Sequence, residues 1–417
     1  MQISPNATDL IDSRYAFIRL LFALAIMTLG SVGMYVVVVV LPVVQAEFGI
    51  TRADASLPYT VLMLGFGFGG ILMGLWSDKF GVFRVLLIGA AGNLIGFLWA
   101  SQSPNILSLA FAHGMIGMFG GSASFAPLMA DTALWWNKRR GIAVAICASG
   151  NYLAGTLWPP IMQSGIDHIG WRQTYLMLGI VCGLGITLLA LRLRPRPPVL
   201  DGSRPPGMPA HAHPSDRPFG LSLNQAQLLL AIAGLSCCVA MSMPQVHIVA
   251  YCSDLGFGAA RGAQMLSLML GFGIASRLIS GFICDRIGGL RTLMLGSVLQ
   301  GIALLMFLPF DGLISLYLIS AMFGLFQGGI VPSYAIIVRE YFPPAEAGAR
   351  VGAVLTATLF GMALGGWMSG KVFDLTGSYH AAFINGILWN LLNLSIAVWL
   401  YWRVGGFRRS AKIATSA

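Results

Sequence analysis

The 417-residue chain is 57% hydrophobic and only 10% charged, and it carries a formal charge of +10 at neutral pH. Soluble domains hold about 25% charged residues, so the composition excludes a water-soluble globular protein and predicts a polytopic membrane protein. The excess of Lys and Arg would suit a nucleic-acid binder only if it were gathered on one face, and it is not.

Residues Met1 to Tyr15 are polar, and the apolar run after them is too long for the core of a secretory signal. That run is therefore read as a membrane span and not as a cleavable leader. Twelve apolar segments follow one another near 18–45, 57–76, 83–101, 105–134, 141–164, 172–193, 225–252, 262–284, 291–309, 312–338, 349–372 and 381–402. The expected fold is all-α, with twelve transmembrane helices. Between the sixth and seventh segments, Arg194 to Gly220 holds eight of the chain's twenty prolines. Such a stretch cannot form a packed element. It divides the chain into an N-terminal six-helix bundle (1–193), a cytoplasmic proline-rich linker (194–222) and a C-terminal six-helix bundle (223–417) with a short cytoplasmic tail. His211 and His213 could ligate a metal, but they lie in this linker and are read as parts of a disordered polar segment.

Placing the N-terminus inside puts twenty of the twenty-five Lys and Arg residues on the cytoplasmic side. Arg52, Arg172, Arg261 and Lys371 fall outside, and Arg277 falls within a span. The positive-inside rule is thus obeyed by every loop. The charge belongs to a membrane surface, and nucleic acid drops out as a partner. Both termini are expected in the cytoplasm, and a bacterial inner membrane fits this arrangement. The six cysteines all lie in apolar segments without metal-ligand spacing, so neither a metal site nor a cofactor is expected.

The two halves repeat. Gly74–Arg84 (GLWSDKFGVFR) matches Gly281–Arg291 (GFICDRIGGLR) at an offset of 207 residues, and Asp167–Gly170 matches Asp374–Gly377 at the same offset. Parallel six-helix repeats with a substrate site near mid-membrane are a transporter plan. The duplicated G-x-x-x-D-x-x-G-x-x-R loop resembles the signature of the major facilitator superfamily, and the resemblance runs over the whole chain. Within that family, Trp135–Ala143, Gly170–Tyr175 and the Arg277-x-x-x-Gly281 spacing resemble the monocarboxylate-porter branch. Mammalian members of that branch carry an acid one turn before the arginine and a proline just after it; here those positions are Gly273 and Leu278.

Arg277 is the residue that most needs an explanation. At about 1.5 Å per residue it lies roughly 12 Å along a helix from Asp285, near the midplane if Asp285 marks the surface. A charge there costs about 2.5–3.5 kcal/mol on insertion scales. No acid sits at mid-depth in the other apolar segments, so the simplest partner is an anion that comes and goes. A planar guanidinium binds a carboxylate with two prongs and stays charged at any working pH. Gly273 and Gly281, one turn to either side, leave space on the same face. The alternative is an arginine bonded to carbonyls of neighbouring helices.

Other polar residues in apolar runs are candidates for the same cavity. His247, near Gln245 and Tyr251, could touch substrate or carry a proton; His113 is a second proton-coupling candidate. Asn151, Tyr152 and Tyr334 could line the cavity or bond neighbouring helices. The resemblance implies a cytoplasmic gate of Asp78 and Arg84 near Asp131, and of Asp285 and Arg291 near Glu340. Gly65/Gly69, Gly70/Gly74, Gly361/Gly365 and Gly366/Gly370 have small-xxx-small spacing, which favours close helix approach.

These residues predict a secondary active transporter of a small organic anion, a monocarboxylate in the first place, working by alternating access as a monomer in a lipid bilayer. Proton symport is the favoured coupling. Carboxylate/carboxylate exchange is the alternative, and a drug exporter on the same fold a more distant one, since it would need a buried acid in the cavity. No nucleophile–base constellation appears, so an enzyme is not expected.

Overall fold

A computed structural model describes residues 10–137, 139–195, 217–343 and 346–405. Most of the proline-rich linker, with His211 and His213, lies outside the described residues, as do Lys138 and the basic tail Arg408, Arg409 and Lys412. Everything regular among the described residues is helical. Twelve helices are long and apolar enough to cross a membrane: α1 Arg14–Phe48, α2 Arg52–Phe80, α3 Val82–Ser101, α4 Ile106–Leu134, α5 Arg140–Ile169, α6 Trp171–Leu193, α7 Leu223–Asp254, α8 Ala259–Ile287, α9 Gly289–Met306, α10 Leu313–Tyr341, α11 Ala347–Thr376 and α12 Tyr379–Arg403.

Helix starts follow local chemistry. The side chains of Ser13, Asn105 and Ser378 accept from main-chain N–H groups at the starts of α1, α4 and α12, which satisfies donors that the first turn leaves free. Gly81 and Gly288 join α2 to α3 and α8 to α9 with nearly the same geometry, φ +84° in both and ψ 156° and 163°. A side chain at either position would be strained in that conformation. The offset of 207 read from the loops also governs the helix ends. Helix α4 starts at 106 and α10 at 313; α4 ends at 134 and α10 at 341; α5 runs 140–169 and α11 runs 347–376.

Two compact units divide the chain. One is Met1–Pro205 with Val246–Ile274, and the other is Pro206–Gln245 with Ala275–Ala417. The boundary therefore falls inside α7 and α8, and the stretch 246–274 packs with the first six helices. In the first unit, Leu20, Met27, Leu86, Leu128, Cys147 and Ile186 form a common buried core. In the second, Leu230, Cys237, Leu293, Tyr334, Phe342 and Leu400 do the same.

Small residues bring particular helices together, though not all those of the expected spacing. A Cβ on Gly65 or Gly69 would run into the backbone of Gly114 or Met118 in α4, and one on Gly361 or Gly365 into that of Leu235 or Val239 in α7. Gly70 and Gly74 face open space instead, because only one side of α2 meets α4. Helices α4 and α10 are interrupted. Residues Ile116–Gly121 of α4 form a π-helical turn, followed by a break at Ser124–Phe125. Helix α10 breaks at Gly328–Gly329, between stretches ending at Gln327 and starting at Ile330.

Candidate functional site

Arg277 sits on α8, which runs without interruption from Ala259 to Ile287. Its spacing from Asp285 is therefore helical, and the rise of roughly 12 Å stands. The residue is half-buried, between fully buried Ser276 on one side and exposed Leu278 and Ile279 on the other. The two flanking glycines differ. Nothing lies within 4 Å of where a Cβ on Gly281 would stand. The corresponding space at Gly273 is filled by the ring of Tyr152, whose Cε1 is 3.0 Å from that point. The predicted open face is thus present on the Gly281 side and occupied on the Gly273 side.

In the first unit, α1, α5 and α8 bring several candidates together. The Tyr35 hydroxyl donates to Asn151 Oδ1 at 2.8 Å, and Asn151 Nδ2 lies 3.8 Å from Met34 Sδ. The Tyr35 ring reaches 2.8 Å from a Cβ built on Gly155, and Thr156 lies 3.5 Å from one built on Gly271. Tyr152, Asn151, Gly155 and Thr156 occupy little more than one turn of α5, and all of them meet α1 or α8. Tyr35 escaped sequence reading because it lies in a run of valines, where a lone tyrosine looks like packing. His247 is fully buried in α7 within this unit.

His113 is placed differently. Its Nδ1 is 2.8 Å from the Leu109 carbonyl and its Nε2 3.1 Å from the Tyr175 hydroxyl. A carbonyl can only accept, so Nδ1 carries the proton and Nε2 accepts from Tyr175. Tyr175 also packs edge-on against Phe97 and Trp171. The Gly170–Tyr175 stretch is a clamp at the start of α6. Trp171 Nε1 donates to Glu47 Oε2 at 2.6 Å, Arg172 pairs with the same carboxylate, and Arg172 Nη2 reaches the Ser103 carbonyl at 3.2 Å. Elsewhere in this unit, Arg52 Nη2 donates to Asp254 Oδ1 at 3.2 Å, tying the start of α2 to the end of α7.

In the second unit Tyr334 is fully buried and its hydroxyl donates to Asn393 Oδ1 at 2.6 Å. Asn393 Nδ2 donates in turn to Ser297 Oγ at 2.7 Å, and Asn390 Nδ2 donates to the Ser297 carbonyl at 2.9 Å. Tyr334 thus joins α10 to α9 and α12 through a buried polar network. The serine and asparagines of that network were not singled out from sequence, since isolated amides in apolar helices carry no spacing signal.

The six gate candidates divide into exposed and buried groups. Asp78, Arg84, Asp285 and Arg291 are exposed at the helix ends. Asp131 and Glu340 are buried. Asp131 takes Arg19 of α1 as its partner, an arginine that the sequence presents as just another inner-surface charge. Glu340 accepts from the Gly289 N–H with both oxygens at 3.1 Å, at the start of α9, a placement that the helix dipole favours. Arg291 Nε donates to the Tyr401 hydroxyl at 3.0 Å. No group of three or more His, Cys, Asp or Glu residues able to hold a metal exists among the described residues.

Known proteins match this chain throughout its length. The sequence profile of the Major Facilitator Superfamily matches residues 21–319 and 278–412. Bovine monocarboxylate transporter 13 is 26% identical over 332 residues, covering 79% of this chain and 75% of that protein. Mouse monocarboxylate transporter 4 is 26% identical over 350 residues, covering 81% and 73%. An uncharacterised transporter of the same superfamily from Bacillus subtilis, YcxA, is 26% identical over 353 residues, covering 81% and 83%. Among solved structures, a mutant of the nucleoside transporter NupG superposes with a TM-score of 0.72 at 16% identity, covering 93% of this chain and 99% of that one. A mutant of the peptide transporter POT bound to alafosfalin gives 0.70 at 13% identity, covering 96% and 99%. With twelve apolar helices and a profile match from residue 21 to residue 412, the chain belongs to the major facilitator superfamily, as an integral membrane transporter resembling its monocarboxylate branch.

Proposed function

We propose that this protein is a secondary active transporter of a small organic anion, a monocarboxylate in the first place, and that it works by alternating access with Arg277 as the anion-binding group. The observation that carries the reading is an arginine within the uninterrupted, membrane-length helix α8, beside the open space at Gly281. A carboxylate entering there gains a charge-assisted, two-pronged partner that membrane lipid cannot supply. The relatives named monocarboxylate transporters support the same substrate class.

In this reading Asn151 and Tyr152 line the substrate path in the first unit, and Tyr334 supports the helices of the second unit through Asn393. His247 is the first candidate to carry a proton. Asp78, Arg84 and Asp131, and their counterparts Asp285, Arg291 and Glu340, form cytoplasmic latches. The protein acts as a monomer in a bacterial inner membrane, with both termini in the cytoplasm, as its basic loops favour. Proton symport is the favoured coupling. Carboxylate exchange is a second reading, favoured by one specific feature: the position one turn before Arg277, where mammalian members of the branch carry an acid, is a glycine whose space the Tyr152 ring fills.

Uptake of a panel of labelled carboxylates into proteoliposomes, with and without an imposed pH gradient, tests the proposal. Symport predicts uphill uptake driven by the gradient. Exchange predicts uptake that ignores the gradient and is stimulated by carboxylate inside. Failure to move any carboxylate in a folded preparation would overturn both.

A further inference from the structure

Among the described residues, two fully buried carboxamides have no hydrogen-bond partner at either polar atom: Asn93 in α3 and Gln327 in α10. Asn93 lies against α4 where the α-helical ladder is lost. Its Nδ2 is 2.8 Å from the point where a Cβ on Gly120 would stand, and Gly120 belongs to the π-helical turn Ile116–Gly121. Gln327 is the last residue before the break at Gly328–Gly329. The repeat relates the two places. Moved by 207 residues, Asn93 and Gly120 fall on Gln300 and Gln327. Gln300 is also fully buried, but it has a partner in α7: its Nε2 donates to the Cys237 carbonyl at 3.5 Å. Each half of the chain therefore keeps one unpartnered carboxamide at the same level of the repeat, beside an interrupted helix.

Leaving a buried amide unpaired is costly, and an apolar side chain of similar shape would avoid the penalty. The interrupted helices hold what these amides lack. A π-turn or a break releases main-chain carbonyls and N–H groups from the i→i−4 pattern, and a small rearrangement changes which of them are free. We propose that Asn93 and Gln327 are conformational caps. Each is unpaired in the present state and bonds main-chain groups of α4 or α10 that are freed when the interrupted stretch rearranges between transport states. Their role is one of positioning, and it holds whichever solute is carried.

The purified protein in lipid nanodiscs provides the test, without any substrate. Asn93→Leu and Gln327→Met remove the amide and keep its approximate volume; Asn93→Ala supplies the comparison if leucine does not fit. If the amides are caps, each substitution favours the present state and disfavours the rearranged one. The melting temperature should then rise, and hydrogen exchange of residues 116–125 in the Asn93 variants, or 327–331 in the Gln327 variant, should slow about tenfold. Gln300→Leu, which loses an existing bond, should lower the melting temperature. A raised melting temperature with unchanged exchange would overturn the proposal, since the amides would then be unpaired in every state. A lowered melting temperature in the volume-keeping variants Asn93→Leu and Gln327→Met would also overturn it, by showing that the amides are already satisfied in the present state; Asn93→Ala, which leaves a cavity, is read by its hydrogen exchange alone.

Discussion

Arg19 and Asp131 form a two-pronged ion pair in the interior of the first unit. Arg19 Nε lies 3.1 Å from Asp131 Oδ2, and Nη2 lies 3.1 Å from Oδ1 and 2.9 Å from Oδ2. Nη2 also donates to the Leu193 carbonyl at 3.0 Å, and the guanidinium stacks 4.5 Å from the Trp135 ring centroid. One side chain thus ties α1 to the inner ends of α4 and α6. Removing one partner of a buried pair strands the other charge, at about 3–5 kcal/mol, whereas replacing both by apolar residues is often neutral. Asp131→Ala should therefore lower the melting temperature sharply, and the double change Arg19→Met with Asp131→Leu should recover most of the loss. Thermal unfolding in detergent checks both. If Asp131→Ala melts like the wild type, the pair is not structural.

The exposed acids of the duplicated loop should behave differently. Asp78 and Asp285 are exposed near the ends of α2 and α8, away from the buried cores. Asp78→Asn and Asp285→Asn should each impair transport while leaving substrate affinity in detergent within a few-fold of wild type, with little change in melting temperature. Abolished binding in a correctly folded variant would show that these residues are not a gate.

The two membrane histidines can be separated by one experiment. Both ring nitrogens of His113 are already engaged, by Leu109 and Tyr175. Protonating Nε2 would turn an acceptor into a donor facing a hydroxyl. His113→Gln should therefore reduce stability and leave the dependence of uptake on the pH gradient intact. His247 is fully buried in α7 and lies in the same unit as Tyr152, and histidine is the side chain most often used to pass protons near neutral pH. His247→Gln should abolish uphill uptake driven by the gradient, and full retention of that uptake would remove it as the carrier.

Gly273 and Gly281 offer a contrast within a single helix. An alanine at 273 would place its Cβ 3.0 Å from Tyr152 Cε1 and 3.1 Å from Cδ1, so the ring would have to give by a few tenths of an ångström. Gly273→Ala should cost about 1 kcal/mol or more through overpacking, and Tyr152→Leu in the same chain should relieve it. Gly281→Ala meets nothing within 4 Å and should fold as the wild type does. Melting temperatures of the three variants decide whether the Tyr152 ring is as closely fitted as it stands.

Much of this architecture was legible because it is written in patterns with long range. Apolar runs gave the twelve helices, and the loop offset of 207 reappears at the ends of α4 and α10 and of α5 and α11. What stayed hidden depends on pairing across the bundle. Arg19 has the same local setting as any arginine at an inner helix end, and only the fold brings Asp131 to it from 112 residues away. Tyr334, which from sequence could line a cavity or bond a neighbouring helix, donates to Asn393, because α12 passes beside α10 at that level. The π-turn in α4 left no mark either, since its glycines also suit a straight helix packed closely.

Arg277 bears most directly on function. A charge at mid-depth costs about 2.5–3.5 kcal/mol on insertion scales, and in the proposed mechanism the bound anion returns part of that cost to Arg277. A carboxylate would be neutralised as it neutralises the arginine. Without the arginine, an incoming anion must shed its water with no partner, a penalty of several kcal/mol. Arg277→Ala should abolish carboxylate transport while the protein still inserts and folds. Arg277→Lys keeps the charge and loses the planar fork, so a severe but incomplete loss is expected. Calorimetric titration of wild type and both variants with the carboxylate that is taken up fastest should rank them wild type, then lysine, then alanine. Near-wild-type affinity in Arg277→Ala would return Arg277 to helix packing and leave the anion site to be sought elsewhere.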